Sequence, residues 1–131
     1  MGNEHFVVAQ KAIIKDGNKY LFLKRAPNSR AYPNQWNFPG GKLEIGEESE
    51  EGLKRELVEE TCLKIKIIEP LFISSEIINK ENAVIIAYLC EIVSGEIKLD
   101  HESTEYKWMT KEEALKIDLT GFTRAFLERE A

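Results

Sequence analysis

The sequence reads as an α/β protein with a mixed sheet and helices packed against it. Three observations carry this. Apolar, β-branched segments stand on both sides of one charged helical stretch, two further helical patterns come late, and no linker is long enough to divide the chain into separate domains. Residues 1–131 are therefore expected to form a single domain. At 131 residues and 43% hydrophobic composition, it can bury about two-thirds of its unfolded surface.

The elements follow in order. Phe6 to Ile14, rich in Val, Ala and Ile, predicts a strand. Lys15-Asp16-Gly17-Asn18-Lys19 is a turn centred on Asp-Gly, and Tyr20 to Lys24 pairs back as a second strand. Arg25 to Gln35 holds Pro27, Pro33, Asn28, Ser29 and Asn34, the composition of a loop. Trp36-Asn37-Phe38 is a short extended piece leading into Gly40-Gly41. Glu48 to Thr61 has no proline and predicts a helix, with Leu53, Leu57 and Val58 as its apolar stripe. Ile65 to Ile78 is apolar but interrupted by Pro70, so it predicts two strand pieces or one bent strand. Ala83 to Ile92 is the most apolar strand and is expected to be central. Tyr106 to Met109 is a short strand. Thr110-x-x-Glu113 is a capping box opening a helix through Leu115 and Ile117. Gly121 to Arg129 is a last helix with Phe122, Phe126 and Leu127 facing inward.

The first helix carries the chemistry. Eight carboxylates lie between Glu44 and Glu60. Glu56, Glu59 and Glu60 stand at i, i+3 and i+4, which puts them on one side of a helix, away from the leucines. Like charges at i, i+4 cost a helix about 0.2–0.5 kcal/mol per pair. A hard divalent cation such as Mg²⁺ (or Mn²⁺) offsets that repulsion, takes carboxylate oxygens and keeps positions open for substrate phosphates. The alternative is a plain solvated acidic helix. The preceding Gly40-Gly41 pair lets backbone approach a ligand closely.

Gly41, five residues, Glu47, seven residues, then Arg55-Glu56-Leu57-x-Glu59-Glu60-x-x-Leu63 resembles the signature of the Nudix hydrolases. The match covers positions 41 to 63, with several fixed residue types at fixed separations. Cys62 departs from it, standing where the family usually has a glycine able to serve as a left-handed cap, which puts the cap geometry in doubt. The resemblance implies an α/β/α sandwich, metal ligation by Glu56, Glu59 and Glu60 with the Gly40 carbonyl, and an Arg55 that orients the catalytic Glu56. Arg55 could equally pair with Glu59 on the surface. Glu47 is read as supporting this set from behind. Glu102, in the loop before Trp108, is similar to a carboxylate that approaches the metals or acts as base in MutT-like relatives, and Glu105 competes for that role.

Trp36, Phe38, Tyr32, Phe72 and Tyr88 are candidates to stack a base, although aromatics more often belong to the core. Trp36 is preferred for its place just before the glycines. Lys42, Arg25 and Arg30 are candidates to meet phosphates. The activity expected is metal-dependent hydrolysis of a nucleoside diphosphate linked to another group, foremost a (deoxy)nucleoside triphosphate giving monophosphate and pyrophosphate. ADP-ribose, nucleotide-sugar and dinucleoside-polyphosphate hydrolysis are alternatives, and a non-catalytic nucleotide sensor is a rival of another class. Net charge is −5, which argues against a nucleic-acid polymer as partner. Cys62 and Cys90 lack metal-ligand spacing, no run reaches transmembrane length, and the first residues resemble no leader. A cytoplasmic monomer or homodimer acting on a small nucleotide, with no membrane partner, is expected.

Overall fold

The structure, a computed structural model, describes residues 6–130. Seven strands and three helices run in the order β1 (Phe6–Asp16), β2 (Lys19–Arg25), β3 (Trp36–Asn37), β4 (Gly40–Lys42), α1 (Ser49–Thr61), β5 (Lys64–Ile78), β6 (Glu81–Ser94), β7 (Ser103–Thr110), α2 (Lys111–Ala114) and α3 (Gly121–Arg129). The sheet is mixed. β1 runs parallel to β6 from Phe6↔Asn82 to Ile14↔Cys90, and its other edge takes β4 antiparallel through Lys11↔Gly40. β6 continues antiparallel into β5, while β2 pairs with β3 and β7.

Strand alternation divides the core into two layers. Ala12 and Ile14 of β1 face α1, joining Leu21, Leu53, Leu57, Leu63, Ile65 and Cys90. Ile13 faces the other way, toward α3, with Phe22, Phe38, Ala83, Ile85, Ala87, Phe122, Phe126 and Leu127. Helices thus cover both faces of one sheet, the α/β/α sandwich expected. The aromatic layer under α3 combines a stacked pair, Phe22 on Phe38 at 5.0 Å, with tilted and edge contacts such as Phe38 against Phe126 at 5.5 Å and 88°.

Several sequence expectations are refined. β5 is one strand, kept continuous past Pro70 by register shifts at Ile67/Glu69 and Pro70/Phe72. β6 lies between β1 and β5, inside the sheet. β7 begins at Ser103, earlier than its polar start suggests, because β2 supplies a ladder partner from Lys19 to Arg25. The glycine pair, expected as approach to a helix, forms β4. α2 stops at Ala114, and its capping box is present. Val58 is corrected: it is 50% exposed, one step of about 100° round the helix from buried Leu57.

Cys62 settles the exit of α1. It takes the left-handed conformation, φ 63° and ψ 18°, with its N–H donating to the Val58 carbonyl at 3.0 Å. The cap is the one glycine normally makes, formed by a residue with a Cβ. Replacing Cys62 by Gly is expected to raise stability by about 1 kcal/mol through relief of that strain, measured as a higher denaturant midpoint at unchanged m-value.

Candidate active site

β4 and α1 build the site together. Gly40 has φ +142°, and a Cβ there would run into the Gln10 backbone on β1. Only glycine lets β4 dock so closely. Gly40 N–H then donates to Glu60 Oε1 at 2.9 Å, a bond spanning twenty positions of chain. Gly41 faces α1, and a Cβ built on it would lie 2.5 Å from Glu56 Cδ and 2.6–2.7 Å from its carboxylate oxygens. Glu56 is therefore laid along bare backbone.

Glu60 is 7% exposed. Burial pushes its carboxyl pKa upward, and the nearby Lys11 ammonium and the Gly40 N–H oppose the shift. Glu56, half-buried, is also raised by burial, with the Arg55 charge pulling the other way. Both line a cleft of about 520 Å³ together with Lys11, Arg25, Asn37, Gly40, Gly41, Lys42 and Glu102. That volume suits a nucleotide-sized ligand.

Arg55 bonds Glu47 through Nε at 2.6 Å and Nη2 at 3.0 Å, meets both oxygens of Glu59 at 3.2 Å, and pairs with Glu56 at 3.3 Å. The two readings of Arg55 are thus one arrangement, in which a single fork orders carboxylates on both sides. Its guanidinium holds the Glu47 carboxyl down to about 2, helped by the Glu44 N–H. Glu47 also anchors the loop, accepting that N–H at 3.0 Å.

Not every expected residue meets at the cleft. Glu59 turns outward to Arg55 and does not line it. Among the described residues, no three acidic, His or Cys side chains converge on a ready-made metal cage. The donor chemistry still fits a hard cation, with two carboxylates facing one cleft beside backbone that a side chain would block. Trp36 is corrected. It is 7% exposed, sits in the aromatic core with Lys107 over its ring, and lies off the cleft. Its position in β3 aims it inward, and Tyr32 and Phe122 are the cleft aromatics instead. Glu102 faces the cleft, whereas Glu105 pairs with Lys24 at 3.6 Å on the surface. Arg25 lines the cleft while bonding the Ala31 carbonyl at 2.7 Å and Ser29 Oγ at 2.7 Å.

Lys11 is the residue that sequence reasoning missed. It follows Ala9 and precedes Ile13 on one face of β1, and burial lowers its pKa. A lysine interrupting an apolar alternation was the available signal. With the Asn37 amide oriented to suit its neighbours, its oxygen accepts from Lys11 Nζ at 3.2 Å and Arg25 Nη1 at 3.3 Å, and its nitrogen donates to the Leu23 carbonyl at 3.1 Å. Two cations are thereby held side by side on the cleft that Glu56 and Glu60 also line.

A sandwich that opens a nucleotide-sized cleft lined by a glycine-fronted acidic helix and paired cations fits one class, the hydrolases of phosphoric anhydride bonds. Residues 5–129 match the NUDIX domain family. The chain belongs to the Nudix hydrolases, which act on nucleoside diphosphate derivatives and generally require a divalent metal such as Mg²⁺ or Mn²⁺. It is 32% identical to the nucleoside triphosphatase NudI of Escherichia coli O139:H28 over 126 residues, covering 88% of this chain and 89% of that one. Among solved structures it resembles the MutT protein of Methanosarcina mazei Go1, with TM-score 0.88 and 27% identity over 98% of this chain and 95% of that one. The MutT NUDIX hydrolase of Burkholderia pseudomallei gives TM-score 0.84 and 28% identity, covering 98% and 100%.

Two outcomes follow from this geometry. Gly41→Ala is expected to keep the fold, because the flexible Glu56 side chain can yield, yet to cut turnover about 100-fold as the carboxylate moves off its place; circular dichroism and initial rates separate the two effects. Glu47 has a folded pKa near 2 against an ordinary 4.5. Its contribution is therefore full above about pH 4.5 and is lost as pH falls toward 2. Thermal melts should show Glu47→Gln less stable than the parent at pH 6, with the gap closing on acidification.

Proposed function

We infer that this chain hydrolyses (deoxy)nucleoside triphosphates to monophosphate and pyrophosphate. The carrying observation is the pair of desolvated carboxylates, Glu56 and Glu60, pressed on the Gly40-Gly41 backbone and sharing one cleft with Lys11 and Arg25. Such a site gathers negative and positive groups on one cleft beside backbone that carries no side chain. The choice of triphosphate is supported by the triphosphatase activity for which the NudI relative is named.

Glu56 and Glu60 would hold a divalent cation, with Glu59 joining once it leaves Arg55 and the Gly40 carbonyl as a further donor. When bound, the cation supplies charge neutralisation for the phosphates and acidifies a water. The chain's own residues do the rest. Glu56, its proton affinity raised by burial, accepts a proton at its carboxylate as water attacks phosphorus. Glu102, on the same cleft, is the second acceptor within reach of the substrate. Arg55 holds Glu56 in orientation through its 3.3 Å ion pair. Lys11 and Lys42 face the phosphates from β1 and β4, and Arg25 closes the cleft from the loop side. Trp36 has no place in this scheme.

Glu56→Gln preserves size and removes the basic oxygen. It is expected to lower kcat about 10²–10⁴-fold at an unchanged melting temperature. The assay follows Mg²⁺-dependent release of pyrophosphate against orthophosphate by phosphorus NMR over a panel of triphosphates, nucleotide sugars and dinucleotides. Equal turnover by parent and variant would remove Glu56 from the chemistry.

A further inference from the structure

The far end of the cleft carries a group that hydrolysis does not use. Glu76 of β5 is half-buried and lines the cavity. It accepts the Tyr32 hydroxyl at 3.2 Å through Oε1, and its Oε2 lies 3.5 Å from where a Cβ on Gly121 would stand. Among the described residues it enters no ion pair. Tyr32 holds this contact from a left-handed backbone, φ 51°, a conformation that costs a bulky residue about 1–3 kcal/mol unless its surroundings enforce it.

Strand register places it relative to the phosphate end. Lys11 is level with Ala87 and Glu76 with Ala83, four residues along β6, and β6 separates β1 from β5. Their backbones are therefore about 13 Å apart along the strands and about 10 Å across them. Between them the sheet presents Ala9 and Ile85, which are level with each other, with Phe122 at the side. That apolar floor runs from the end where Lys11 and Arg25 sit with the carboxylates of α1 to Glu76 at the other, and so can take a nucleotide laid phosphate-first.

We propose that Glu76, braced by Tyr32, reads the nucleobase and selects guanine. A carboxylate only accepts hydrogen bonds. Guanine offers two adjacent donors on one edge, N1–H and the 2-amino group. Adenine and cytosine set a single amino group beside a ring nitrogen that repels the carboxylate, and uracil and thymine flank one N–H with two carbonyls. The proposal rests on the triphosphatase reading, since a base lies there only if phosphates lie at Lys11.

The test varies one group of the substrate. GTP and ITP differ only in the 2-amino group, and kcat/KM is measured for both, and for ATP, with parent and Glu76→Gln. The parent is expected to favour GTP over ITP about tenfold or more, the usual worth of a hydrogen bond to a charged group. Glu76→Gln, isosteric but with one donor and one acceptor, should bring that ratio near one and improve ATP relative to GTP. Equal use of GTP and ITP by the parent, or a ratio that Glu76→Gln leaves unchanged, overturns the assignment of Glu76 and leaves triphosphate hydrolysis standing. Hydrolysis of no triphosphate at all overturns both.

Discussion

Glu60 accepts a backbone N–H from Gly40 while almost wholly out of water. Removing a carboxylate from water costs several kcal/mol unless hydrogen bonds and opposite charge replace the solvent. Here one peptide N–H and the nearby Lys11 do so, and both come from strands distant in sequence. The close docking of β4 on β1 makes this possible, and only a residue without a side chain permits the docking. Glu56, one turn earlier, uses the neighbouring glycine in the same way. Steric room on a strand thus determines the electrostatics of a helix.

β1 links this constraint to the rest of the molecule. Its even residues Ala12 and Ile14 seat α1, and its odd residues Ala9 and Lys11 floor the cleft. Shifting the strand by one residue would bury the lysine under α1 and empty the cleft of its cation. Parallel pairing with β6 over nine register steps resists such a slip. Arg55 works at the other edge, pairing with Glu47, Glu59 and Glu56 at once, so that its one positive charge offsets part of the mutual repulsion among these carboxylates.

Much of this was legible in the residues. Alternation and helical spacing located β1, β2, β6, α1 and α3, and the interval from Gly41 to Leu63 identified the family. The misreadings share a cause. Trp36 and Tyr32 stand four residues apart at the end of one loop region, and nothing local says which ring turns to the core. Trp36 has a ladder partner on β2, whereas Tyr32 is held outward by Glu76, forty-four residues away. Cys62 has a Cβ that disfavours a left-handed cap, yet the packing of Leu57 and Leu63 on either side imposes it. Lys11 was overlooked because a single charge in an apolar strand reads as an edge or an error until the opposing carboxylates are seen.

By itself the sequence determined which elements form, which face of each is apolar, and that carboxylates, glycines and an arginine occur at the intervals a phosphoanhydride hydrolase needs. Those are properties of one element at a time, set by side-chain period and backbone freedom. Only the tertiary structure decided which of the acidic groups lose their water, which cations answer them, and which aromatic borders the cleft. Desolvation is a property of the neighbours, and here the neighbours of Glu60 are Lys11 and Gly40, brought to it by sheet pairing over forty-nine and twenty positions of chain.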